Sequence, residues 1–148
     1  MINQNNQVIE TKAGFATVGG NVINFDGGAV KFYNLVANNN YSFVVYHRNH
    51  IPVKTATNYF YAQNMYINLT NPIYVKGQNL IDMGNNLKAM KMGNVNSDNS
   101  IDAADRNSLK VTQENSFIYS TKDVNLDGVV DAIDRNFAKI QQESTSSL

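Results

Sequence analysis

The chain has 148 residues and carries twelve basic and twelve acidic side chains. That length suits one ordinary domain or two small ones, and the neutral total gives no reason to expect nucleic acid as a partner. With no cysteine, disulfides, zinc–thiolate sites and cysteine nucleophiles are excluded, and no apolar run approaches membrane-spanning length.

The neutral total conceals a split. Residues 1–92 hold seven Lys/Arg and three Asp/Glu, a net charge of +4, whereas residues 93–148 hold five and nine, a net charge of −4. The opening "MINQNNQ" lacks the basic and apolar regions of a signal peptide. A secreted parent would therefore carry its signal elsewhere.

From Gln7 to about Val75 the pattern is strand-like. "YSFVVYH" (41–47) and "NYFYAQNMYINL" (58–69) are rich in aromatic and β-branched residues, and Gly, Asn and Pro clusters separate such runs. Short strands with regular turn signals read as an antiparallel sandwich. In 41–47, Phe43, Val45 and His47 would share one face and Val44 and Tyr46 the other, so a central, well-covered strand is expected. The only histidines, His47 and His50, would point to opposite faces of such a strand, which is poor for joint metal binding. His47 and Arg48 read as structural hydrogen-bonding residues. In 58–69, Tyr59, Phe60, Tyr61 and Tyr66 are candidates for a sugar-binding platform, although aromatics in a sandwich more often pack in the core or across strands.

The pattern changes within "DMGNNLKAMKMG" (82–93), which gives an expected division into 1–91 and 92–148, packed together. Beyond it the chain repeats itself. "NVNSDNSIDAADRNSLK" (94–110) aligns with "DVNLDGVVDAIDRNFAK" (123–139) at an offset of 29 residues. Each copy is an Asp/Asn-rich loop running into a predicted short helix, at 102–111 and 131–140. Carboxylates this close repel one another unless something positive sits between them.

The spacing is that of an EF-hand-type calcium loop, with oxygen ligands at positions 1, 3, 5, 7, 9 and 12. In the first loop these are Asn94, Asn96, Asp98, Ser100 (carbonyl), Asp102 and Asp105. In the second they are Asp123, Asn125, Asp127, Val129 (carbonyl), Asp131 and Asp134. Two calcium ions are expected. Position 8 is apolar in both copies, Ile101 and Val130, which suits an anchor to a core. The second loop has Gly128 at position 6, where positive φ is convenient, and an acid at position 1. The first has Asn99 and Asn94 there, so the second is expected to bind more tightly. The plainer reading is a pair of acidic turns that cap two helices, with Asp102 and Asp131 as N-caps.

Loop-then-helix duplicated within about fifty residues resembles a dockerin module over 92–143. The resemblance implies two loop–helix units around two calcium ions and a cohesin-like domain, or another cell-surface protein, as partner. The positions that choose the cohesin correspond here to Ala103 and Ala104, and to Ala132 and Ile133, in place of the familiar polar pair. That departure suggests an apolar contact, or an Ile133 that packs inward on this chain. Lys110 and Lys139, which end the matching segments, join them as implied partner residues.

The stretch "GGAVKFYNLVANNNYSFVVYHRNHIPVKTA" (27–56) resembles a module found near the C-terminal ends of large secreted proteins of Bacteroidetes-type bacteria. There a strand ending in "HRNH" precedes a calcium segment. The style also resembles transthyretin-like or carboxypeptidase-regulatory-like sandwiches. This resemblance implies a further strand upstream of "QVIETKAG", and hence an open sheet edge here.

No G-x-S-x-G, P-loop or H-E-x-x-H is present. The expectation is a mixed, two-part chain: an antiparallel β-sandwich followed by a small dockerin-like α unit. Its function would be non-catalytic, calcium-dependent attachment within a secreted or cell-surface bacterial protein involved in polysaccharide degradation. A calcium-stiffened spacer without partner and a polysaccharide-binding accessory are the alternatives. Neither nucleic acid nor membrane insertion is expected.

Overall fold

The computed structural model describes residues 1–17, 21–56, 58–59, 67–76, 80–110, 119–141 and 144–145, with backbone only at 58, 59, 76, 144 and 145. In chain order the strands are β1 (Ile2–Asn3), β2 (Phe15–Ala16), β3 (Val22–Ile23), β4 (Asn40–Ser42), β5 (Val44–Val45), β6 (Val53–Thr55), β7 (Asn58–Tyr59), β8 (Val75–Lys76), β9 (Leu80–Asp82), β10 (Lys88–Met90) and β11 (Ser100–Ile101). Two helices follow, α1 (Ala103–Lys110) and α2 (Ala132–Ile140), and then β12 (Ser144–Thr145). The fold is mixed: small antiparallel strand groups with two short helices.

Two compact units emerge, Met1–Phe43 with Thr57–Tyr66, and Val44–Ala56 with Ile67–Leu148. In the first, β1, β4 and β7 form a three-stranded antiparallel sheet and β2 pairs with β3. Its buried centre is Met1 and Tyr41, against which Ile9, Phe32, Leu35 and Phe43 pack. Glu10 accepts the N–H groups of Tyr33 and Asn34 and pairs with Lys12, which ties this stretch together.

In the second unit, β5, β6 and β8 make another three-stranded sheet, β9 and β10 a hairpin, and β11 pairs with β12. The hairpin turn places Gly84, Asn85 and Asn86 at positive φ, the residue types that tolerate it best. The apolar residues of the repeat collect in one core of Val95, Leu109, Val124, Val130 and Ala138, with Met92 and Phe137 against it.

The stretch 41–47 does not form the single covered strand that its pattern predicts. It divides at Phe43, with Tyr41 in one sheet and Val44–Val45 in another, and Tyr46 is left exposed. A strand apolar on both faces can satisfy two partners by leaving one sheet for a second. "LKAMKM" (87–92) contributes strand β10, not a helix, so the first loop is preceded by extended chain. Of the proposed aromatic platform, Phe60, Tyr61 and Tyr66 lie outside the described residues, and Tyr59 is described by its backbone in β7.

Candidate metal centre

The two loops share most of their hydrogen bonds at equivalent positions. At position 12 the carboxylate of Asp105 accepts N–H groups from Val95 (2.8 Å), Asn96 (3.2 Å) and Asp102 (3.0 Å). Asp134 does the same for Val124 (2.7 Å), Asn125 (3.2 Å) and Asp131 (2.8 Å). Both carboxylates are completely buried, at 0 % exposure. A buried anion is tolerable when several charge-assisted hydrogen bonds meet it, and these three donors supply them.

The rest of each loop follows the same register. The N–H of position 5 bonds to the side chains of positions 1 and 3, through Asp98 to Asn94 and Asn96, and through Asp127 to Asp123 and Asn125. The amide of position 3 donates to the acid at position 5, the N–H of position 7 bonds that same acid, and the N–H of position 11 bonds the acid at position 9. Positions 4 and 6 both take positive φ: Ser97 (63°) and Asn99 (69°), and Leu126 (65°) and Gly128 (89°). Position 6 was legible from Asn and Gly. Position 4 was not, because neither serine nor leucine advertises a left-handed backbone.

The anchors at position 8 fall as their pattern predicts. Ile101 and Val130 are buried. Each loop then starts its helix. Asp131 is the N-cap of α2, its side chain accepts from Ile133, and Asp134 completes a capping box. Capping accounts for positions 9 and 12. It leaves unexplained why positions 1, 3 and 5 add further oxygens to the same turn.

The first loop holds three acids and the second four. Arg48 pairs with a carboxylate of the second loop, its Nη2 lying 3.4 Å from Asp123 Oδ2. All donors at the ligand positions are carboxylate, amide or carbonyl oxygens, the set that a hard, flexible cation such as calcium takes. As they stand, no three acidic or imidazole side chains among the described residues gather into a metal-holding group. Several of the acid oxygens are instead turned to loop N–H groups, and the rest of the ligand set is amide and backbone oxygen.

The segment 47–50 turns out to be part of this centre. Asn49 is fully buried and touches position 1 of both loops. Its carbonyl accepts the N–H groups of Gly93 (2.8 Å) and Asn94 (3.1 Å). Its side-chain amide donates to the carbonyl of Asp123 at 2.5 Å. Alongside it Ile51 N–H bonds Lys91 O at 2.9 Å. The Arg48 guanidinium lies 4.0 Å from the centroid of the Tyr119 ring, a cation–π contact, while its Nε and Nη1 find no acceptor among the described residues.

His47 and His50 do not point apart. They flank a turn, and their Nδ1 atoms lie 2.9 Å from one another with the rings edge to face. His50 Nδ1 is also 2.7 Å from Asn49 Oδ1. One arrangement satisfies all three atoms: His50 Nδ1–H donates, and Asn49 Oδ1 and His47 Nδ1 accept. That bond fixes which way the Asn49 amide faces, and so aims its N–H at Asp123. Burial, together with the neighbouring His47 and Arg48, pushes the His50 pKa down to about 4. His47 is lowered as well, by burial and then by Arg48.

Gly93, just before the first loop, has φ 121°, and a Cβ there would stand 3.0 Å from Ala138 Cα. Only glycine lets α2 approach so closely. Of the expected partner residues, Ala103, Ala104, Lys110, Ala132 and Lys139 are exposed, and Ile133 is 49 % exposed. Ile133 therefore faces outward and is not buried against the chain.

Comparison of the chain with protein-family models, curated proteins and solved structures returned no match. No helix among the described residues is long and apolar enough to cross a membrane.

Proposed function

We propose that residues 94–105 and 123–134 are paired calcium loops of a dockerin-like unit. In this reading the chain is a non-catalytic attachment module of a secreted or cell-surface bacterial protein. The observation that carries it is the duplicated network: eight side-chain bonds recur at equivalent loop positions around clustered acids. The residues to hold the two ions are Asn94, Asn96, Asp98, Ser100 (carbonyl), Asp102 and Asp105, and Asp123, Asn125, Asp127, Val129 (carbonyl), Asp131 and Asp134. A divalent cation there would neutralise the acids and order the helix that follows, so that binding free energy becomes folding free energy.

The outward-facing Ala103, Ala104, Ala132 and Ile133, with Lys110 and Lys139, suit a cohesin-like partner. The β part is read as a sandwich of the transthyretin-like kind, which spaces this unit from a larger parent. A second reading is favoured by Asn49: because it ties both loops to one turn, the calcium unit could serve as a stiffened joint with no partner at all.

Calorimetric titration of chelator-stripped protein with calcium tests the proposal. Two sites and a gain of helical circular dichroism are expected. Absence of binding at about millimolar calcium, the weak end of such loops, would overturn it. Pull-down with candidate cohesin-like domains, with and without chelator, then separates attachment from stiffening.

A further inference from the structure

Segment 93–148 contains five Lys and Arg residues, and four of them line one hollow: Arg106 and Lys110 from α1, Arg135 and Lys139 from α2. Asn107 and Asn136 complete the lining, and the hollow measures about 420 Å³. Its lining contains no carboxylate, although the surrounding segment is net acidic. The six residues are three equivalent pairs under the 29-residue repeat. Each helix therefore presents the same face to the same space, the relation of an isologous contact about an approximate two-fold axis.

Local helix chemistry favours each cation separately, the arginines by standing four residues after Asp102 and Asp131, but does not account for their sharing one hollow. Lys110 and Lys139 lie in the last turns of their helices, where a cation is favoured by the dipole. Arg106 and Arg135 lie four residues earlier, near the N-terminal ends, where that favour is absent. They also stand at i,i+4 from the lysines, a like-charge spacing that weakens a helix. Among the described residues, no ion pair engages Lys110, Arg135 or Lys139. Like charges gathered around one space repel one another, and an anion between them would relieve that repulsion.

We propose that this hollow binds a polyvalent oxyanion, a sulfate or phosphate group, free or as an ester on a glycan. The guanidinium of Arg135 suits bidentate contact with such a group, and the lysines act as point charges. The amides of Asn107 and Asn136 supply donors for the remaining oxygens. The lining offers no aromatic face for a sugar ring and no apolar pocket for a peptide anchor, so the charged group itself is what is recognised. All six lining residues lie on the two helices that follow the loops, so the test is run with and without calcium.

The test is titration of the full chain at low ionic strength, followed by NMR, with inorganic sulfate, pyrophosphate and a sulfated oligosaccharide beside its unsulfated form. Saturable shifts at Asn107, Arg135 and Asn136 are expected, weakening as salt rises. The double variant Lys110→Gln/Lys139→Gln should lose about tenfold or more in affinity, as removal of charge-assisted bonds does, with its helical circular dichroism unchanged. Lys31→Gln, elsewhere on the chain, should bind as the parent does. Tighter binding of the sulfated sugar than of the inorganic ions would identify a glycan source, and the reverse a free anion. No saturation by any of these probes up to about 10 mM, which corresponds to negligible affinity, would overturn the proposal. So would a double variant that binds as tightly as the parent.

Discussion

The two loops share a register but differ at position 1, and the difference shows how a repeat can diverge without losing its geometry. Asp123 is an acid, and both of its oxygens accept loop N–H groups, Oδ1 from Asp127 at 3.1 Å and Oδ2 from Gly128 at 3.1 Å. Asn94 has a single acceptor oxygen, taken by Asp98 N–H at 3.1 Å, and its amide nitrogen cannot accept a second. The extra charge of Asp123 is met by Arg48. With that arginine counted, each loop carries the same surplus of three negative charges. The expectation that the second loop binds more tightly rested on its extra acid and its glycine. Arg48 offsets the first advantage and leaves the second.

The largest break in this symmetry should come from Asp134→Ala. It leaves the N–H groups of Val124, Asn125 and Asp131 without an acceptor, at about 1–3 kcal/mol for each buried donor. A loss of roughly 3–5 kcal/mol in denaturant unfolding is expected, together with disappearance of one calcium site. Asp105→Ala should cost as much and remove the other site. Equal titrations in parent and variant would refute the loop assignment.

A pH dependence comes next. Above about pH 6.5 His50 is neutral in both folded and unfolded chains. Between there and its folded pKa of about 4, the unfolded chain takes up a proton that the folded one refuses. Stability therefore falls as pH drops through that window and should level off below it. The loss is on the order of 2–3 kcal/mol. Unfolding curves from pH 7 to pH 4 should show the decline, and His50→Gln should flatten it.

Asn49→Ala sharpens the comparison further. Alanine keeps the backbone carbonyl that serves Gly93 and Asn94, but it loses the amide that serves Asp123. Stability should fall by about 1–3 kcal/mol, and the second calcium site should weaken more than the first. Equal weakening of both sites in calorimetry would show that the turn acts as one block.

The smallest effects belong to position 6. Asn99→Gly should strengthen the first loop by about 0.5–1 kcal/mol, and Gly128→Ala should weaken the second by about 1–2 kcal/mol, because φ is positive at both. Hydrogen exchange of the loop amides would resolve the two shifts.

Local patterns in this chain were legible because they are repeated and short-ranged. Both helices lie where their apolar spacing and leading acids place them, at Ala103–Lys110 and Ala132–Ile140. The loop register and the buried anchors Ile101 and Val130 follow from bonds that span at most eleven residues. Reading "HRNH" as a strand end led to the wrong geometry for His47 and His50. A period-two pattern assumes extended chain, and a turn at Arg48–Asn49 puts both rings on one side.

What the amino-acid sequence determined by itself is therefore the chemistry of each loop: its oxygens, its turn residues and the helix it starts. Its order along the chain is its order in space, so nearest-neighbour sterics and hydrogen bonding suffice. Only the tertiary structure decided that Asn49 would sit beneath Asp123, 74 residues away, that 41–47 would divide between two sheets, and that four cations from two helices would face one hollow. Those outcomes depend on which buried surfaces meet after the chain has closed long loops, and no local pattern encodes that choice.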